Sequence, residues 1–161
     1  MSLISRPFLA PIKIAIPWDP AIDTEAWGMT ADEYLERVVT ADEAVPLPPV
    51  RPGQTLATLT LAPLGYSAYA YALHLIGQAG EQWPYDAALQ AHVLRHAIVD
   101  CGGLDTEEGP VRVRREDGPY GPRLTAESWS QIGFFCDSLT WGTLAVASVA
   151  RSARQRYVPA D

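Results

Sequence analysis

The sequence predicts an α+β fold: three to four helices packed on a small antiparallel sheet, with an extended proline-rich N-terminal arm. Nine of the 14 prolines lie within the first 63 of 161 residues, and each proline fixes φ and removes a backbone donor. Two short segments alternate apolar and polar side chains as strands do, and later segments repeat apolar residues at helical spacing. We therefore divide the chain into an arm with a short acidic helix and a linker, residues 1–53, and a mainly helical body, residues 54–161.

The first predicted strand lies in the arm. Ile12, Ile14 and Ile16 fall on one face, and Lys13 and Ala15 fall on the other. Prolines on both sides of this segment favour an edge strand or an added strand. An edge strand can also join the sheet of a neighbouring molecule.

A short acidic helix and a proline-rich linker follow. The spacing of Thr30 and Glu33 is that of a capping box, which predicts a helix over residues 31–39. Residues 44–53 then contain four prolines. This composition suits a stiff spacer, and it also matches a polyproline ligand of the PxxP type. We favour the spacer.

The body begins with a second predicted strand, residues 54–62, because its apolar residues alternate. Helical spacing then predicts helices over residues 66–78 and 85–101. Pro84 suits the first turn of the second helix, and the glycine pair at residues 102–103 suits its end.

In the last third of the chain, the sequence predicts a hairpin or an ordered loop, followed by further helical structure. Asp117-Gly118 lies between two β-prone pieces of residues 111–124. Thr125 is a predicted N-cap for a stretch that runs to about residue 154, as one helix or as two broken near Gly133 or Gly142. The sheet is expected from residues 12–16 and 55–61, with 111–123 as a third candidate.

Composition and charge exclude some classes of partner. The formal net charge is −7, which argues against nucleic acid as the main partner. No apolar run approaches the roughly 18 residues of a membrane span, and no secretory signal is recognised, so we expect no membrane partner and a cytoplasmic site of synthesis. Cys101 and Cys136 are expected to be buried free thiols.

The charges are unevenly distributed. Residues 19–43 contain eight acidic residues and one basic residue, whereas arginines cluster at positions 112, 114, 115 and 123. Complementary patches of this kind can dock copies of a protein head to tail. Two solvated faces are the simpler interpretation, and we favour it.

No motif specifies a reaction. His92, His96 and Asp100 are spaced four apart and can project from one face of a helix, as N, N and O ligands of a metal would. Val93, however, stands where an HExxH motif has its glutamate, and G-x-S-x-G, G-x-G-x-x-G and P-loop patterns are absent from the sequence. We predict no catalytic residue, no metal and no cofactor.

The arm supplies the candidate binding residues. Two of the five tryptophans lie in it, and tryptophan is enriched in protein interfaces. Each of the two is expected to anchor the arm either to its own body or to a partner. The predicted partner-binding residues, expected to be exposed along the arm, are Ile12, Ile14, Ile16, Trp18 and Trp27.

Two parts of the chain resemble proteins of tailed bacteriophages. Residues 16–23, Ile-Pro-Trp-Asp-Pro-Ala-Ile-Asp, with Glu33-Tyr34 after them, resemble the opening of phage morphogenesis proteins. The strand at residues 58–61, the segment Ala-Ile-Val-Asp at 97–100 and the closing stretch from Leu124-Thr125 are similar to tail assembly chaperones. The proline linker and the tyrosine-rich first body helix depart from that pattern.

The resemblance implies a non-enzymatic structural component of a tailed-phage-like virion, in the capsid, neck or tail, with residues 1–28 as an arm on neighbouring subunits. Its expected partners are other virion or assembly proteins, including copies of itself. It would lie in the host cytoplasm during assembly and then in the virion. The alternative is a tail assembly chaperone that acts transiently. If the arm is separable, residues 29–161 should fold without it.

Overall fold

The computed structural model describes residues 3–5, 10–41, 43–154 and 157–159. It confirms the α+β class, with 45% helix and 19% strand. A 3-10 helix, Gly80–Tyr85, joins the second and third α-helices. The five α-helices of the described chain are α1 (Ala31–Thr40), α2 (Tyr66–Ala79), α3 (Ala87–Ala97), α4 (Ala126–Gly133) and α5 (Ser138–Ala153).

The strands are short and pair only in antiparallel fashion. They are β1 (Leu3–Ser5), β2 (Ile12–Ala15), β3 (Thr58–Leu61), β4 (Ile98–Gly102), β5 (Asp105–Thr106), β6 (Gly109–Pro110), β7 (Arg115–Gly118), β8 (Gly121–Leu124) and β9 (Tyr157–Pro159). The central sheet has the order β2-β3-β4, and the pairs β1-β9, β5-β6 and β7-β8 form separate two-stranded ribbons.

The central sheet confirms two of its predicted strands and corrects the third. Ile14 pairs with Leu59, which in turn pairs with Cys101. The third strand is therefore β4, where the sequence predicted the end of a helix. The helix prediction to residue 101 was wrong because Ile98-Val99 is β-branched and the free edge of β3 provides hydrogen-bonding partners.

Residues 111–123 do not join the central sheet. Their second half forms the β7-β8 hairpin, whose ends Gly118 and Gly121 face each other across Pro119 and Tyr120. Asp117-Gly118 therefore forms the end of β7, and the turn of the hairpin consists of Pro119 and Tyr120. The Arg115 side chain fixes the hairpin to the sheet, because it donates to the Ile98 carbonyl at 2.8 Å.

Local helix signals in the sequence are confirmed. Thr30 Oγ1 accepts from the Glu33 amide at 3.2 Å, and Glu33 Oε1 accepts from the Thr30 amide at 3.4 Å, which completes the capping box. Thr125 caps α4 by accepting from Ser128. The closing stretch is broken just after Gly133, so the two-helix alternative is correct.

From residue 10 onwards, the described part of the arm lies on its own body. One continuous core contains residues from β2, α1, β3, α3 and α5. The Arg151 side chain, 1% exposed, reaches from α5 to the carbonyls of Ala10 at 2.9 Å and Ala41 at 3.0 Å. The N-terminal segment and the end of α1 are therefore both bonded to the last helix.

The proline-rich linker also packs on the molecule. Ile22 and Val50 form a bridge, the Asp23 amide donates to the Pro49 carbonyl at 2.9 Å, and Arg51 donates to Ala21 at 2.8 Å. The middle of the linker therefore pairs with the segment that follows β2. The linker, which its composition predicted to be a stiff spacer, is thus bonded to the molecule at its middle. In the described part of the chain, no helix has the length and apolar character needed to cross a membrane.

Candidate functional site

Three of the five predicted partner-binding residues are buried. Ile12, Ile14 and Ile16 are 3%, 0% and 5% exposed and belong to the core. The prediction that they are exposed along the arm is wrong. Their alternation places all three on one face of the sheet, and the helices of the same chain cover that face.

The outer edge of β2 is partly covered as well. The Ala15 amide donates to the Tyr34 hydroxyl at 2.9 Å, so a side chain of α1 occupies a position that an added strand would use. Natural proteins often protect edge strands in this way. β2 is therefore an edge strand, as predicted, but its edge at Ala15 is not open to a partner.

Trp27 contributes to the protein's own packing. It is half-buried against the core, and its ring meets the Tyr34 ring edge-on with centroids 5.5 Å apart. Of the two roles predicted for the arm tryptophans, Trp27 has the internal one.

Trp18 is displayed on the surface, with 60% of the residue exposed. It lies in a turn that is closed by the Asp19 amide, which donates to the Ile16 carbonyl at 3.1 Å. The Asp19 carboxylate accepts from Ala21 at 2.9 Å and from Ala57 at 2.7 Å. These bonds and the fixed φ of Pro17 hold the turn in one conformation.

A cavity of about 350 Å³ opens beside Trp18. Its lining includes the apolar Leu104 and Phe135 and the acidic Asp19 and Asp105. Phe134, which precedes Phe135 in the turn between α4 and α5, is 91% exposed. Exposed apolar side chains beside a concave surface are typical of interaction sites. We call Trp18, Leu104, Phe134 and Phe135 the Trp18 surface.

The acidic and basic clusters are both accessible. Arg112 and Arg114 are exposed. The ion pairs formed by described residues join Glu116 to Arg95 at 3.2 Å and to Arg123 at 3.4 Å, so neither cluster neutralises the other within one molecule. The exposed carboxylates of the acidic segment are Glu25, Asp32, Glu33, Glu36 and Glu43.

The three residues weighed as metal ligands do not converge. The rings of His92 and His96 are 4.7 Å apart on α3, but the helix ends before Asp100, which lies exposed on β4 and accepts from the Cys101 amide. Within the described ranges, no group of three His, Cys, Asp or Glu side chains is placed to hold a metal ion.

Both histidines are oriented by backbone carbonyls. His92 Nε2 lies 2.9 Å from the Ala68 oxygen, and His96 Nδ1 lies 2.7 Å from the His92 oxygen. A carbonyl only accepts, so these nitrogens carry the hydrogens. Burial lowers the pKa of both imidazoles, and the charges of Arg95 and Arg123 lower it further. Both rings are therefore neutral at neutral pH.

The cysteines are free and half-buried. Burial and the nearby Asp137 raise the pKa of the Cys136 thiol to about 12, and burial and Asp100 raise that of Cys101. Neither thiol is activated as a nucleophile, because the thiolate is the reactive form.

The sequence pattern missed three residues of the Trp18 surface. Phe134 and Phe135 lie in a stretch that the sequence predicted as one helix or as two broken near Gly133 or Gly142, so the turn that exposes Phe134 was only one of the open alternatives. The available signal was Asp137, a capping residue three positions before Thr140, which marks the start of a new helix. Comparison of the chain with protein-family models, curated proteins and solved structures finds no match.

Proposed function

We propose that this protein is a non-enzymatic structural component of a tailed-phage-like virion, in its capsid, neck or tail. The observation that carries the proposal is Trp18, which a hydrogen-bonded turn holds exposed beside an apolar cavity. Tryptophans at the centre of interfaces dominate binding energy, and a side chain that is already ordered loses little entropy when it binds.

The neighbouring subunit that the Trp18 surface fits is a second copy of this chain. Asp19 and Asp105 add negative charge to the lining of the cavity, and α1 carries further exposed acidic residues. The segment between β6 and β7 offers the complement, since exposed Arg112 and Arg114 flank the half-buried Val113. Opposite charges around an apolar centre guide association and set its orientation.

The test is the oligomeric state of the full chain, measured by analytical ultracentrifugation over a range of concentrations. Trp18→Ala should weaken self-association by about 10-fold or more, the effect of losing an interface hot spot. Tyr85→Ala is the matched control, because Tyr85 is similarly exposed, at 56%, and lies on the 3-10 helix. It should leave association unchanged.

Charge provides a second measurement on the same samples. The double substitution Arg112→Glu and Arg114→Glu should weaken association, and raising the salt concentration from about 0.1 M to about 1 M should do the same for the native chain. A native chain that stays monomeric at all concentrations would refute the proposed partner. Equal association of the native chain and Trp18→Ala would refute the proposed surface.

The alternative role, a tail assembly chaperone, predicts a different fate for the protein. A structural component remains in purified particles, whereas a chaperone is present only while they assemble. Mass spectrometry of purified particles and of assembling lysates separates the two roles whichever partner Trp18 contacts.

A further inference from the structure

A second cavity of about 350 Å³ lies between the start of α2, the end of α3 and the β7-β8 hairpin. It is remote in sequence from the Trp18 turn and uses none of the residues of the Trp18 surface. The polar residues of its lining are Tyr66, Ser67, His96, Arg115 and Tyr120.

The start of α2 supplies hydrogen-bond donors to this cavity. Gly65, the N-cap, has no side chain that accepts from the first turn. The amides of Tyr66, Ser67 and Ala68 precede the first i to i−4 bond of the helix, which Tyr69 makes to Gly65. All four residues from Gly65 to Ala68 line the cavity. Free amides and the helix dipole favour negative charge at this position.

Arg115 adds a full positive charge that is held in place. Its guanidinium donates to the carbonyls of Ile98 and Pro122, each at 2.8 Å. No carboxylate in the described ranges forms an ion pair with it. Carbonyl oxygens orient the guanidinium without neutralising it, so its charge is available to a ligand in the cavity.

His96 belongs to the lining of the same cavity and carries a buried, unsatisfied acceptor. The residue is only 6% exposed, and its Nδ1–H donates to the His92 carbonyl of its own helix. Nε2 therefore carries a lone pair and lies on the ring edge that faces away from that carbonyl. Among the described residues it has no hydrogen-bond partner. Such a buried polar atom is uncommon, and a group that donates a hydrogen would satisfy it.

We propose that this cavity binds a small oxyanion that also carries a hydroxyl hydrogen. The anionic oxygens accept from the first amides of α2 and from Arg115, and the hydroxyl donates to His96 Nε2. Hydrogen phosphate and 2-hydroxycarboxylates share this chemistry, since each combines anionic oxygens with an O–H group. Sulfate and the corresponding carboxylates without a hydroxyl satisfy the donors but leave His96 unpaired.

Two matched pairs of probes test this preference on the full chain. Isothermal titration at about pH 8, where a histidine is neutral, compares phosphate with sulfate and malate with succinate. The hydroxyl-bearing member should bind about 10-fold more tightly in at least one pair, the ratio expected for one hydrogen bond. A preference in the phosphate pair identifies a phosphate site, and one in the malate pair identifies a hydroxy-acid site. Equal affinity within both pairs, or no binding at millimolar concentrations, overturns the proposal.

Substitution of His96 tests its role directly. His96→Asn retains a donor near the position of Nδ1 and lacks the Nε2 acceptor, so it should bind both members of a pair equally. His96→Gln places an amide oxygen near the Nε2 position and should restore part of the preference. His74→Asn, on the exposed side of α2, is the control and should bind as the native chain does. Preference retained in His96→Asn would overturn the assignment.

One measurement does not depend on whether these variants fold. In the native chain, the ¹⁵N chemical shift of His96 Nε2 should move when phosphate or malate is added, because the lone pair gains a hydrogen-bond donor. Sulfate and succinate should move it much less. If the ¹⁵N chemical shift of His96 Nε2 stays unchanged with all four anions, the proposal is overturned even where titration detects binding.

Discussion

Tyr34 connects three parts of the molecule through one side chain. It is fully buried on α1, its ring packs against Trp27, and its hydroxyl accepts from the Ala15 amide at the edge of β2. Burial raises the pKa of the phenol, and the hydrogen bond from Ala15 opposes that change. Helical spacing within α1 is enough to predict that Tyr34 faces the core. Its partner, 19 residues earlier, has no signal in the sequence.

Replacing Tyr34 with Phe should lower the free energy of unfolding by about 1–3 kcal/mol, because the Ala15 N–H would be buried without an acceptor. Denaturant unfolding followed by circular dichroism measures this loss. Tyr85→Phe, at an exposed site, is the control and should stay within about 0.5 kcal/mol of the native protein. Equal stability of both variants would mean that water reaches Ala15 once the hydroxyl is removed.

At the scale of elements, the end of α3 shows how packing overrides a local pattern. The helical spacing of apolar residues continues past Ala97, yet the chain changes there to β4. The Ala97 carbonyl at the end of α3 accepts from the Ala62 amide at 2.8 Å, and β4 then pairs with β3, whereas an isolated helix end would leave its last carbonyls unpaired. The same change removes Asp100 from the histidines. Helical spacing predicted His92, His96 and Asp100 on one face of a helix. In the structure Asp100 lies on β4 instead, because the chain leaves the helix at Ala97.

The contact between α5 and the 3-10 helix depends on a glycine. A Cβ at Gly142 would lie 2.6 Å from the Pro84 carbonyl oxygen, which is backbone and has little freedom to move. Gly142→Ala should therefore destabilise the protein by about 1–3 kcal/mol despite the better helix propensity of alanine. Thermal and denaturant unfolding measure the change.

Gly77 is the matched control within another helix. Apart from the adjacent backbone of α2 itself, no atom lies within 4 Å of a Cβ at this position. Gly77→Ala should stabilise the protein by about 0.5–1 kcal/mol through helix propensity alone. If Gly142→Ala destabilises the protein and Gly77→Ala stabilises it, close packing at Gly142 is the cause of the difference. A stabilising Gly142→Ala would show that α5 can move away from Pro84.

At the scale of the whole molecule, the N-terminal segment is part of the fold. Among the residues described in this segment, the core contains Ile12, Ile14, Ala15, Ile16, Ala21 and Ile22. Burying an aliphatic side chain of this size contributes about 1.5–3 kcal/mol, so the isoleucines alone account for a large fraction of the stability of a typical domain. Function and folding therefore cannot be separated by removing the whole arm.

Deletion of residues 1–28 should abolish cooperative unfolding, because it removes an entire strand of the central sheet. Deletion of residues 1–9 is the control, since it retains every core residue that the structure describes in the segment and should keep a cooperative transition. Calorimetry and near-UV circular dichroism distinguish the two outcomes. A folded chain of residues 29–161 would restore the earlier expectation of a separable arm.

The sequence by itself determined the features that depend on a few neighbouring residues. These include the α+β class, the capping box at Thr30, the cap at Thr125 and the strand around Ile14. Each is a local signal, because a cap, a turn or an alternation acts over one or two turns of chain. The prolines of the first third likewise excluded regular helix there, apart from α1.

Only the tertiary structure decided which surfaces remain exposed. The alternation that made Ile14 a strand residue gives one apolar face, but it does not say whether the same chain or a neighbour covers it. Here α1 and the other helices cover it, and Trp18 stays outside because Asp19 bonds its turn to Ala57. The cavity beside His96 likewise joins residues from α2, α3 and β7. Such sites depend on contacts between distant segments, and long-range packing, not local pattern, sets them.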